Sequence, residues 1–288
     1  MRSTIRLGRI FGVNVALHWS VLVIAGLIGF TLTDGVADAE LWAVVVPTVV
    51  VFLACLLAHE LAHSVVAERN GLRVHGITLW LLGGVAQLAG PMPSAGSEFR
   101  IAVAGPAMSY ALAGIFFAGA GVAHALGGSA LLVSAFDWLA FVNVVLGTFN
   151  LVPAAPLDGG RILASAIWAV TKNRTRSDVF ATRVGQGFGG ALVVVGLVGP
   201  LVRVPYVSVW TALMGLFILR TATAELRYAR TVGHVRLDLH QGDAVLDCSN
   251  VATGSIARID EHLVDPRLAV PNLVVPDPVV QGSVDVQR

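Results

Sequence analysis

His59, Glu60 and His63 form the pattern H-E-x-x-H within AHELAHSVVA, residues 58–67. On a helix, positions four apart share a face about one turn from each other, so both imidazoles project together with the spacing that two zinc ligands need. Glu60 stands on the adjoining flank, where its carboxylate can take a proton from a water polarised by the metal and act as general base. The run that carries the motif, Leu41 to about Val66, is otherwise apolar. Ionisable groups are costly in such a setting and are normally functional or paired. The bland alternative is a hydrogen-bonded polar patch that holds helices together.

A catalytic zinc needs a third protein ligand and one open position. Cys55 lies inside the same apolar run and Cys248 in a polar tail, so neither thiol is well placed. Asp158 is. It sits in NLVPAAPLDGGR, residues 150–161, where Pro153 and Pro156 break a helix and Gly159-Gly160 let the chain turn back closely. A carboxylate there completes a set of two neutral imidazoles and one anionic oxygen, one Zn2+ per chain. The alternative role for Asp158 is to cap a following helix, Gly159 to Val170. Asn150 can hold substrate backbone or steady a developing oxyanion, or it can simply cap a helix. Arg161 reads as an interfacial anchor, and His18 beside Trp19 as polarity at a helix interface.

The elements that position these residues belong in lipid. Hydrophobic residues make up 56% of the chain and charged residues 13%, against about 25% charged in a soluble domain. A mean hydropathy of +0.77 agrees. Lys+Arg 19 against Asp+Glu 18 leaves a formal charge of +1, which offers no basic field for nucleic acid. Six apolar runs are expected to span: Val13–Thr33, Leu41–Val66, Ile101–Leu126, Leu131–Leu151, Val184–Val202 and Val204–Leu219, the last two joined by a tight hairpin. Arg2, Arg6, Arg9, Arg69, Arg73, Lys172, Arg174, Arg176, Arg220, Arg227 and Arg230 then share one side, which places both termini in the cytoplasm.

Between the second and third runs, Ile77 to Leu88 is rich in β-favouring residues around Gly83-Gly84 and is too short to cross. A short sheet or hairpin dipping toward the membrane is expected, and backbone at that depth needs protein or a wet cavity over it. After Thr221 charges become frequent, and Pro266, Pro271, Pro276 and Pro278 punctuate the end. The expected organisation is therefore an all-α polytopic membrane core, residues 1–222, with a short membrane-associated β segment near the site. A small soluble tail, residues 223–288, follows, with brief strands at Ala244–Leu246 and Leu273–Val275.

At the level of motifs the chain resembles the site-2 protease family, the intramembrane zinc metalloproteases of peptidase family M50. The resemblance rests on AHELAHSVVA (58–67), GGVAQL (83–88), AGPAMS (104–109) and NLVPAAPLDGGR (150–161), which lie within roughly residues 10–220. It implies that His59, His63 and Asp158 bind zinc, that Glu60 is the catalytic glutamate, and that Asn150 assists substrate engagement. Gly83, Gly84, Val85 and Ala86 resemble a membrane-inserted strand segment that pairs with unwound substrate. The implied function is hydrolysis within or near a transmembrane helix of a membrane-anchored regulator, such as an anti-sigma factor already trimmed by another protease. No PDZ domain lies between the motifs, as in the compact bacterial and archaeal members. Many of those carry paired CBS domains after the last span; the tail here is too short for a pair and at most resembles a truncated remnant. Two other functions compete: a divalent-metal transporter, which predicts further ion stations along several spans, and a non-catalytic membrane scaffold, which has no need of Glu60.

Overall fold

The computed structural model describes residues 4–10, 12–33, 38–80, 83–202, 204 and 207–240. The chain opens with strands β1 (Thr4–Ile10) and β2 (Val13–His18), followed by a short helix α1 (Ser20–Leu32) and a long one, α2 (Ala39–Arg69). A hairpin of β3 (Arg73–Trp80) and β4 (Gly83–Ala89) leads to α3 (Ala95–Ala125) and α4 (Ala130–Asn150). Helices α5 (Asp158–Thr171), α6 (Arg174–Val198) and α7 (Val209–His240) complete the described fold. By contacts the chain divides into Met1–Leu237 and Asp238–Arg288, the second described only through the last residues of α7.

Among the described residues, five helices are long and apolar enough to cross a membrane: α2, α3, α4, α6 and the Val209–Arg227 part of α7. The starts of four of them are set by short polar side chains that accept from free backbone N–H groups: Asp38 for α2, Ser94 for α3, Ser129 for α4 and Asn173 for α6. Three of the expected spans, in α2, α3 and α4, lie where the apolar runs place them. The first does not. Val13 to His18 is a strand, because Val13 and Val15 bury one face while Asn14 stays exposed, a period of two that a helix cannot satisfy. What remains as α1 is 13 residues, about 20 Å of helix against a hydrocarbon core of about 30 Å. The connection between the last two spans is also longer than a tight hairpin, since α6 ends at Val198 and α7 begins at Val209. At the other end α7 runs through the change of composition at Thr221, carried by the good helix formers Ala222, Ala224, Glu225, Leu226 and Arg227. The expected strands Ala244–Leu246 and Leu273–Val275, the CBS-like stretch beyond His240 and Cys248 lie outside the described residues.

The β segment is larger than the hairpin read from residues 77–88. The four strands form one sheet in the order β1-β2-β3-β4. β1 and β2 are antiparallel, β2 and β3 parallel, and β3 and β4 antiparallel with Leu79 opposite Gly84 and Trp80 opposite Gly83. Val13, Val21, Ile77 and Leu79 form a buried cluster against Leu53, Leu57 and Leu61 of α2. The sheet is thereby fixed to the helix that carries H-E-x-x-H. A second cluster, Ala67, Leu72, Met92 and Ile101, ties the end of α2 to the start of α3. β4 forms one edge of the sheet, with no strand beyond it among the described residues.

Candidate metal centre

α2 places His59 and His63 one turn apart, with ring centroids 4.9 Å from each other. Their Nε2 atoms lie 3.2 Å apart, and Asp158 Oδ2 lies 3.3 Å from the first and 3.2 Å from the second. Asp158 is the first residue of α5, and the N-cap position belongs to Leu157, without a side-chain cap bond. The capping alternative is therefore not realised. The carboxylate instead projects from the positive end of the helix dipole toward the histidines. The turn that delivers it requires glycine: a Cβ on Gly159 would collide with the carbonyls of Leu151 and Val152, and one on Gly160 with the backbone of Ala154 and Ala155.

The imidazoles are oriented from behind. His63 Nδ1 donates to the Ile101 carbonyl at 2.6 Å, and since a carbonyl only accepts, Nε2 is left with its lone pair facing Asp158. For His59 to present its Nε2 lone pair in the same way, Nδ1 must carry the proton, and Ser109 Oγ at 2.9 Å is its acceptor. Both supports come from α3. Between them Gly105 faces the cluster, and a Cβ there would occupy the space of the His59 and His63 Nε2 atoms.

Three ligand atoms thus converge without a hydrogen on the side where they meet. Asp158 Oδ2 is buried and accepts no hydrogen bond. A carboxyl with an ordinary value of about 3.9 is ionised at neutral pH and supplies the negative charge. Two lone pairs and one anion call for a cation at their centre. A tetrahedral zinc with bonds of about 2.0–2.1 Å has ligand-to-ligand edges of about 3.3 Å, and the three edges measured here are 3.2, 3.2 and 3.3 Å. The donor set fits one zinc per chain, and it is the one cluster of three or more such donors among the described residues.

Glu60 is half-buried on the adjoining flank. Its side chain lies against the backbone of Gly84, close enough that a Cβ on Gly84 would overlap Glu60 Cγ and Cδ. β4 therefore runs beside the carboxylate expected to act as base. Of the other residues read as substrate-binding, Gly83 is paired with Trp80, Val85 with Thr78 and Ala86 with Ile77; the side chains of Val85 and Ala86 lie outside the described residues. Asn150 closes α4, where its Nδ2 donates to the Leu146 carbonyl at 3.0 Å, and it is not part of the three-atom cluster. His18 ends β2 and bonds Ser20 Oγ through Nδ1 at 2.8 Å, and it is not among the three clustered donors.

Sequence reasoning quoted Gly105 and Ser109 within AGPAMS but gave neither a role at the site. Their spacing contained a signal, because Ile101, Gly105 and Ser109 recur every four residues and so share one face of α3. Ser109 is fully buried, and removing such a partner typically costs about 10–100-fold in metal affinity. Ser109→Ala is expected to weaken zinc binding by that factor in a chelator competition. Unchanged affinity would show that the hydroxyl does not orient His59.

The model of peptidase family M50 matches residues 47–129 and 121–196. Rip3 of Mycobacterium tuberculosis is 41% identical over 232 residues, covering 78% of this chain and 59% of that protein. The protein sll0528 of Synechocystis sp. is 35% identical over 237 residues, covering 80% of this chain and 62% of that protein. The chain therefore spans about three fifths of the length of these curated relatives. Among solved structures, the Site-2 Protease from Methanocaldococcus jannaschii matches with a TM-score of 0.54 and 29% identity, over 77% of this chain and 95% of that one.

Proposed function

This chain belongs to peptidase family M50, the site-2 proteases, and from that premise we propose that it is a zinc-dependent intramembrane endopeptidase. Its substrate is a transmembrane protein, a membrane-anchored regulator such as an anti-sigma factor, cut within or near its helix after another protease has trimmed it. The observation that carries this reading is the convergence of His59 Nε2, His63 Nε2 and Asp158 Oδ2, with Glu60 beside them, inside a bundle of membrane-length helices.

Zinc bound by these three residues would supply a Lewis acid that makes water nucleophilic near neutral pH and polarises the scissile carbonyl. Glu60 accepts the proton that the attacking water loses and delivers it to the leaving amine nitrogen as the C–N bond breaks. His63 and His59 are held by Ile101 and Ser109, so the ligands do not have to reorganise. An intact helix hides its amides in i to i−4 bonds, so the substrate must first unwind locally. The outer edge of β4 can pair with the extended segment and replace those bonds, which is why its approach to Glu60 at Gly84 supports this reading. Asn150, at the end of the helix preceding the Asp158 turn, is assigned to holding substrate backbone.

Within this reading residues 1–222 are the proteolytic core and residues 223–288 a cytoplasmic tail, with α7 crossing the boundary between them. The protein is a multi-pass component of the cell membrane; the grouping of basic residues supports cytoplasmic termini, and the pairing of β2 with β3, which puts the N-terminal strands at the end of α2, agrees if the short α1 carries the chain back to the start of α2. That the described residues form a single donor cluster favours an enzyme over a metal carrier, which needs successive stations for its ion.

The test is co-reconstitution in liposomes with a single-span protein tagged at both ends. Product masses are expected to place the cut within or beside the hydrophobic segment. Replacing a substrate glycine near the cut with leucine, which strengthens the local helix by about 1 kcal/mol, is expected to slow cleavage about fivefold. Cuts confined to the soluble tails would contradict the proposal.

A further inference from the structure

A groove of about 430 Å³ lies between α3 and α4, walled by Tyr110, Phe117, Phe141 and Val144. Its floor consists of small residues, Ala113, Gly114 and Ala140. α4 packs mainly on α3 and to a lesser extent on α2, and the groove side is open, with Phe117 72% and Phe141 64% exposed. In a membrane protein such an opening faces lipid, and small residues there let another helix approach closely.

The same groove contains Asp137, which is exposed and has no hydrogen-bond or ion-pair partner among the described residues. This carboxylate does not lie at the end of its helix. α4 starts at Ala130, so at 1.5 Å per residue Asp137 is about 10 Å along it. Val122, Leu126, Leu131 and Leu132 all expose apolar side chains between Asp137 and the helix ends. Phe141 and Val144 continue the apolar surface on the other side. An acidic group within an apolar belt is costly unless something pairs with it.

We propose that this groove docks a transmembrane helix of a partner protein that carries a lysine or arginine at the depth of Asp137. The small floor seats the partner backbone, the aromatic walls flank it, and the basic side chain pairs with the carboxylate. The proposal is independent of the proteolytic reading, because the groove contains none of the metal ligands.

The experiment uses the full chain, donor-labelled in phosphatidylcholine vesicles, with acceptor-labelled single-span peptides of 21 residues as probes, a length of about 30 Å. One is an apolar Leu/Ala host. The other has a single lysine about 10 Å from its end. The lysine peptide is expected to associate about three- to tenfold more tightly than the apolar host, the range for a polar contact between membrane helices. Asp137→Asn should remove that preference while leaving zinc content unchanged. A Cβ on Gly114 meets nothing within 4 Å, so Gly114→Leu should keep the fold and its zinc but fill the groove and block both peptides. Equal association of the two peptides with the natural chain would overturn the proposal, as would a lysine preference that persists in Asp137→Asn. Self-association of the chain that excludes both peptides and is lost in Gly114→Leu would also overturn it, because a second copy would then be the occupant.

Discussion

Replacing Glu60 with Gln is expected to abolish peptide hydrolysis while leaving about one zinc per chain, the content of a three-ligand site. Glutamine keeps the length and shape of glutamate, so the packing of the side chain against Gly84 is preserved, as is the placement of β4. Glu60 is not among the three atoms that converge on the cation position, so metal affinity does not depend on it. What the substitution removes is the ability to accept a proton from water and return it to the leaving nitrogen. A positioned general acid–base group typically contributes about 10²–10⁴-fold, and loss of at least that factor is expected in a cleavage assay. Turnover within a few-fold of the natural chain, with zinc retained, would mean that another group handles the proton.

Helices α2, α3 and α4 were legible because each carries an apolar run of span length; the start of α3 was not, since its first polar turn after the Ser94 cap, Ala95 to Arg100, lies outside the apolar run. H-E-x-x-H was legible because a four-residue spacing on any helix puts both histidines on one face. Asp158 was legible through its neighbours, since Pro153, Pro156, Gly159 and Gly160 make little sense except as a turn that must approach something closely. The N-terminal strand was not legible. A run of some 20 apolar residues reads as one span, and only pairing of Val15 with Ile77 and Leu17 with Leu79, far apart in sequence, makes its first third a strand. That pairing completes a four-stranded sheet where local β propensity showed a single hairpin. The role of Ser109 was not legible for a related reason. A serine in an apolar helix is a common neutral feature, and its role depends on α3 lying against α2 in one register, which no local pattern encodes.

Replacing Asp158 with Ala is expected to strip the site of metal. It removes the only anionic ligand and leaves two imidazoles whose Nδ1 atoms are held by Ile101 and Ser109, so they have no freedom to recruit a substitute. Among the described residues no other carboxylate or thiol joins the cluster. Cys55, though buried one turn before His59, is not part of it. The loss should exceed the roughly 10–100-fold typical for removing a partner behind a ligand, and so be larger than that of Ser109→Ala.

Zinc per chain in purified, detergent-solubilised protein, measured by elemental analysis for the natural chain beside Asp158→Ala, tests the central claim most directly. The expected result is about one zinc in the natural chain and a marked loss in the variant, with both proteins monodisperse. Natural protein prepared without chelators that binds no zinc, or a variant that retains the full natural content, would contradict the three-ligand site on which the proposed chemistry rests.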